Sequence, residues 1–238
     1  MIEARGLAKS FGDVQAVHDV TFTAADGQIT GLLGPNGAGK STTLRMLYTV
    51  LAPDRGTALV DGIDVTSSPA EGRSRLGVFA HNPGVYPNLT TRENVRYFGR
   101  LCGMDEARID ERIDELAGFL EMGDILDRRT KGFSQGQRTK VALARCLVHA
   151  PDNIILDEPT NGLDVMSTRN LRGIIEQLRD AGKCVVFSSH IMQEVAALCD
   201  RIVIVNGGRV VAAGTPNDIR AQTGTDDLEE SFVRTISE

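Results

Sequence analysis

The sequence predicts an α/β fold in which a mixed sheet carries an α-helical insertion. Three observations predict it. Short β-branched runs alternate with longer helical patterns between Gly and Pro breaks along the chain. Helical periodicity crowds the middle, from about residue 90 to residue 149. The turn Asn206-Gly207-Gly208 joins the last two β runs as a hairpin.

In chain order, strands are expected at residues 2–5, 20–24 and 29–33, then a helix over 40–50. Strands at 57–60 and 76–80 follow. Helices over 92–101, 107–122 and 135–149 make up the insertion. Beyond it come a strand at 154–157, a helix over 165–181, a strand at 184–188 and a helix over 192–198. Hairpin strands at 202–205 and 210–212 and a helix over 216–222 complete the pattern. The acidic tail from Thr225 reads either as a short helix or as frayed chain.

Composition bounds the function. With 238 residues, 41% of them apolar, the chain has material for one globular domain, or one domain with a subdomain. The 26 basic and 32 acidic residues give a net charge of -6, which argues against coating nucleic acid or anionic lipid by bulk electrostatics. A local basic patch stays open. Apolar runs such as 184–187 and 202–205 fall far short of the ~20 residues that a membrane-spanning helix needs, and Met1-Ile2-Glu3-Ala4-Arg5 is no signal peptide. The expectation is a cytosolic chain, unless a partner holds it at a membrane. Cys102, Cys146, Cys184 and Cys199 lack metal-ligand spacing and read as small buried hydrophobes.

Gly34-Pro35-Asn36-Gly37-Ala38-Gly39-Lys40-Ser41 fits G-x-x-x-x-G-K-[ST], between an expected strand and an expected helix. That context marks a P-loop. Glycines let backbone N–H groups converge on phosphate oxygens, and the helix N-terminus that continues through Thr42 adds partial positive charge. Lys40 would neutralise the β- and γ-phosphates, and Ser41 offers Mg²⁺ a hard oxygen. The run Ile154-Ile155-Leu156-Asp157-Glu158 ends in two carboxylates. Side chains alternate along a strand, so the two acids can take two roles. Asp157 would hold Mg²⁺ through a coordinated water, and Glu158 would polarise the water that attacks the γ-phosphate. Alone, such an ending is a common solvated strand-to-turn junction; the P-loop changes its meaning.

Three further segments carry a resemblance: Phe133-Ser134-Gln135-Gly136-Gln137 ahead of an amphipathic helix, Asn161-Gly162-Leu163-Asp164, and Ser188-Ser189-His190 after a buried strand. With the P-loop and the Asp-Glu pair they make the chain resemble the nucleotide-binding subunit of an ABC transporter over essentially its whole length. The resemblance implies a P-loop NTPase fold of ABC type. A core with an antiparallel β subdomain would take residues 1–89 and 150–222, an α-helical subdomain with the signature motif 90–149, and a short acidic tail 223–238.

It also implies roles. Ser134, Gly136 and Gln137 would meet the γ-phosphate of ATP held by another copy's P-loop. Asp164 would cross the dimer interface, and His190 would contact the γ-phosphate and steady Glu158. Phe11, in Lys9-Ser10-Phe11-Gly12, would stack on adenine with Val17 as a second contact. His81 stands where the family commonly has a Gln that reaches Mg²⁺. Imidazole is a poorer Mg²⁺ ligand, so His81 would act through water or serve coupling. Phe133 and Gln135 resemble the signature of exporters with a separate membrane subunit. The phrases Leu163 to Arg169, Gly182-Lys183-Cys184 and His190 to Val195 resemble sodium-exporter ATPase subunits.

The activity implied is MgATP hydrolysis by a head-to-tail homodimer docked on an integral membrane permease at the cytoplasmic face, with no nucleic-acid partner. The apolar loop 84–89 would help receive a cytoplasmic helix of the permease. The competing reading, an ABC-type ATPase acting on ribosomes or DNA, fits poorly with a single cassette that has no long coiled coil and a net charge of -6.

Overall fold

The computed structural model describes residues 1–237. Its ten strands form one sheet with two characters. Strands β1 (Ile2–Phe11) and β2 (Val14–Ala24) form an antiparallel hairpin, and β4 (Arg55–Val60) and β5 (Ile63–Asp64) continue outward from β1. Strands β3 (Gln28–Leu33), β6 (Leu76–Phe79), β7 (Asn153–Asp157), β8 (Cys184–Ser189) and β9 (Arg201–Asn206) are parallel neighbours in the order β9-β3-β8-β7-β6.

Strand β10 (Arg209–Gly214) returns antiparallel beside β9 and meets β2 at the single register pair Arg209 and Asp19. At this seam His18 N donates to Gly208 O at 2.8 Å, and Gly208 N donates to Ala38 O at 2.9 Å.

The apolar run 29–33 and the strands β7 and β8 are buried along their length, as parallel strands covered on both faces must be. Helix α1 (Lys40–Leu47) packs under β1 and β2, while α2 (Pro69–Ser74) sits beside β5 and β6. Between β6 and β7 come α3 (Thr91–Leu101), α4 (Glu106–Phe119) and α5 (Gln135–Leu147), packed on one another. Helices α6 (Val165–Asp180) and α7 (Met192–Leu198) pack against β3 and β8. The chain ends in α8 (Pro216–Thr223) and α9 (Leu228–Ser237).

The expected elements are all present, with differences at their edges. The first two strands run much further than expected, because the polar stretch Lys9-Ser10 and residues 14–19 continue a ladder closed by the turn at Gly12 and Asp13. Neither β5 nor α2 was expected: one has two residues and the other six, too few for a hydrophobic period to register. The acidic tail is the helix α9, anchored by buried Leu228 and Ser231 against α7 and α8. Cys102 corrects the thiol reading: it caps the C-terminus of α3 and is exposed, whereas Cys146, Cys184 and Cys199 are buried. No helix among the described residues is long and apolar enough to cross a membrane.

Candidate functional site

The C-terminal ends of β3, β7 and β8 are neighbours in the sheet and deliver the candidate site, as the edge of a parallel α/β sheet commonly does. The glycine-rich segment spans the turn from β3 into α1. Gly34 has no room for a side chain, since a Cβ would collide with the Val205 carbonyl. Gly39, at φ 103°, is left-handed, and a Cβ there would lie 2.7 Å from Ala16 O. Gly37 is also left-handed, while Asn36 and Gly37 face solvent and Ala38 is buried beneath them.

Lys40 opens α1 and is only 5% exposed, with Nζ donating to Gly34 O at 2.7 Å and to Pro35 O at 3.0 Å. Its ammonium therefore lies over the loop. Burial pushes it below the ordinary lysine range, and the charges of Glu158 and Asp157 pull part of the way back. Ser41 and Thr42 follow, each half-buried.

Asp157 ends β7 in full burial. Its Oδ1 accepts from Ser41 Oγ at 3.2 Å and from Ser188 Oγ at 2.7 Å. Its Oδ2 has no partner, an orphaned buried carboxylate oxygen beside a hydroxyl. This oxygen-only donor set fits a hard divalent cation such as Mg²⁺.

Glu158 turns the chain with φ 49°, and its backbone N donates to Ser188 Oγ at 3.0 Å. Two imidazoles flank its carboxylate. His190 Nδ1 lies 3.3 Å from Oε1, and His81 Nδ1 lies 3.6 Å from Oε2. The sequence reading left His81 between water-mediated metal contact and coupling; it lies beside Glu158, across from His190, with no bond to Ser41 or Asp157.

The remaining expected residues are spread over three regions. Ser134 caps α5 in a capping box with Gln137: Gln137 N donates to Ser134 Oγ at 3.2 Å and Ser134 N to Gln137 Oε1 at 3.1 Å. Gly136 packs against Ser167, and a Cβ there would meet Ser167 Oγ at 2.9 Å. Among the described residues no hydrogen bond joins Ser134, Gly136 or Gln137 to Lys40 or Ser41. Asp164 caps α6, and bonds from the Ser167 amide and hydroxyl, 2.8 and 2.9 Å, hold its carboxyl below the usual carboxylate range. Phe11, at the tip of the β1–β2 hairpin, is 48% exposed, with the Lys9 ammonium over one face of its ring. Val17 corrects the expectation of a second base contact: it is fully buried, its Cγ2 packed under Gly39.

Sequence reasoning missed four polar groups behind this site. Ser188 binds both the Asp157 carboxylate and the Glu158 amide. Thr160 and Ser189 both donate to buried Glu194, each at 2.8 Å. The doubled serine before His190 was visible, but only the parallel pairing of β7 with β8 puts it against Asp157.

The chain matches the ABC transporter family over residues 17–161. It is 43% identical over 238 residues to the ABC transporter ATP-binding protein NatA of Bacillus subtilis, covering 98% of this chain and 97% of that one. Among solved structures it superposes on an ATP-binding subunit of an ABC transporter with TM-score 0.90 and 30% identity, over 99% of both chains. It also superposes on the dimeric form of MJ0796, a bacterial ABC transporter cassette, with TM-score 0.82 and 25% identity, over 90% of this chain and 98% of that one. A glycine-rich turn after β3, a buried Asp157 at the end of β7 followed by Glu158, and a capped α5 agree with those matches: the chain belongs to the ABC transporter family, as an ATP-binding, ATP-hydrolysing subunit.

Proposed function

We propose that this subunit drives export through a separate membrane permease, by closing head to tail on a second copy around two molecules of MgATP. The observation that carries the reading is where the two donor sets lie. Lys40 and the amides of its loop lie at the turn from β3 into α1, while Ser134 and the N-terminus of α5 lie on the helical insertion, and no hydrogen bond joins the two sets. One chain alone offers a γ-phosphate donors from one side, and a second copy's α5 completes the ring of preorganised dipoles.

In this reading Gly34 to Thr42 cradle the phosphates and Phe11 stacks on adenine. Ser41 and Asp157 would hold Mg²⁺. The ion supplies charge neutralisation to the phosphate oxygens. Glu158 takes the proton of the attacking water, and His190 holds Glu158 in place and contacts the γ-phosphate. Asp164, at the exposed start of α6, reaches across the dimer. Hydrolysis then opens the pair by repulsion between the products.

The permease surface is the loop 84–89 and the groove beside it. Asn94 locks the loop's backbone, accepting from Tyr86 N at 2.9 Å, while Tyr86 stays 45% exposed and packs edge-on against Tyr97. The adjoining groove, about 550 Å³, is walled by Val50, Val78, Phe98 and Cys102. In this reading a cytoplasmic helix of the permease packs on its apolar wall, and the subunit sits peripherally on the cytoplasmic face of the membrane. No residue here would touch the cargo, which the permease selects; Na⁺ is the first ion to test, given the sodium-exporter resemblance. The experiment is ion flux in vesicles containing this subunit and the membrane protein that co-purifies with it. ATP-driven Na⁺ extrusion is expected, and Tyr86→Asp abolishes flux while basal ATPase persists; equal loss of both refutes docking at this loop.

A further inference from the structure

The catalytic reading leaves one buried carboxylate without a task. Glu194, in α7, is 6% exposed, yet no cation pairs with it among the described residues. Its partners are two hydroxyls: Thr160 Oγ1 and Ser189 Oγ both donate to the same Oε2 at 2.8 Å. A carboxylate so placed gains little stability, because its desolvation is answered by neutral donors only.

Its position gives the reason. Thr160 lies two residues beyond Glu158, on the loop leaving β7. Ser189, the last residue of β8, precedes His190, and Ser189 Oγ also accepts from Ile191 N at 3.0 Å, fixing the backbone on both sides of the histidine. One oxygen of Glu194 therefore pins the loop that carries Glu158 to the loop that carries His190. The two meet at the 3.3 Å contact between Glu158 Oε1 and His190 Nδ1. Ser188 ties the same two strand ends from the other side, through Asp157 Oδ1 and Glu158 N.

We propose that Glu194 is a positioning residue for ATP hydrolysis: by gathering Thr160 and Ser189 on one carboxylate oxygen it sets the distance and angle between Glu158 and His190. The inference rests on the reading of Glu158 as the base and His190 as its support. It requires an acceptor at this point and not a charge, so an amide oxygen can replace it.

The test uses the full chain with steady-state ATPase kinetics, binding of a fluorescent ATP analogue, and circular dichroism to normalise for folded protein. Glu194→Ala is expected to lower kcat about tenfold or more, the scale set by ångström misplacement of a reacting group, with analogue affinity unchanged. Glu194→Gln is expected to retain about half of the activity or better, because its carbonyl oxygen accepts both hydroxyls. In a His190→Ala background, Glu194→Ala is expected to cost no more than about twofold further, the non-additivity of groups acting as a unit.

Normal kcat in Glu194→Ala, equal damage from Glu194→Gln, or full additivity with His190→Ala overturns the proposal. Should Glu194→Ala fail to fold, Thr160→Val and Ser189→Ala each remove one arm and carry the same expectations. Glu158→Gln runs alongside: if it hydrolyses normally, the reading of the base fails; if it is inactive while Glu194→Ala is normal, only the positioning role fails.

Discussion

At the scale of single residues, Glu158 is the point to probe: two imidazoles flank its carboxylate and its amide is bonded to Ser188, beside the buried carboxylate of Asp157. If Glu158 is the base, as proposed, Glu158→Gln keeps the shape but removes it, so turnover is expected to fall by ~10²-fold or more while binding of a fluorescent ATP analogue is preserved. Lys40→Ala, by contrast, should weaken that binding itself, since it deletes the ammonium lying over the loop. The thiols supply an independent test of burial. Cys102 is the exposed one, so one thiol should react with an alkylating probe in native protein at pH 8 and four in denaturant. Burial pushes the Cys146 thiol up to about 12 and the Cys184 thiol to about 11. Unfolded thiols ionise near ~8.5, so their contribution to stability is complete below that pH and is lost as pH rises toward the folded values. Urea midpoints should therefore drop between pH 8 and pH 11, and Cys146→Ala should flatten the decline. The loop glycines with Lys40, and Asp157 with Glu158, each sit in a contiguous run, 34–41 and 154–158, so their places at the ends of β3 and β7 were legible. Thr160, Ser189 and Glu194 were not, since their meaning depends on which strands lie side by side; Val17 misled because distance along the chain says nothing of which face of β2 is covered.

At the scale of elements, the turn from β3 into α1 shows how the sheet shapes the phosphate loop. The Val205 carbonyl on β9 fills the space where any side chain on Gly34 would go. Gly34→Ala must displace backbone, and an overpacking cost of about 1–3 kcal/mol is expected. It should appear as a lower melting temperature together with weaker nucleotide binding, whereas a neutral effect on both would mean that the loop yields freely. The helices α3, α5, α6 and α8 each begin at a Thr, Ser or Asp whose side chain accepts from the third residue on, and the helix starts they mark were legible from periodicity to within a residue. The strand ends were not. Lys9-Ser10 and the stretch 14–19 carry weak alternation, and their ladder is imposed by pairing across the hairpin, with register shifts between Ala4 and Ser10.

For the whole molecule, the proposed head-to-tail closure would make activity a property of two chains. Specific ATPase activity should rise with protein concentration, and sedimentation should show a dimer under ATP with Glu158→Gln, where hydrolysis cannot reopen it. A solitary species hydrolysing ATP at full rate at every concentration would end that reading. The fold class was legible because a contiguous motif, a helical insertion and a closing hairpin are all local. What the sequence withheld was how the two halves of the sheet join. They join where β10 crosses from β9 to β2, and there the amide of Gly208 is bonded to Ala38 inside the phosphate loop, while its carbonyl holds His18. Any shift of the hairpin lobe would thus be felt at the turn from β3 into α1, and deuterium uptake at the Gly208 and His18 amides would act as a strain gauge for a segment to which neither residue belongs.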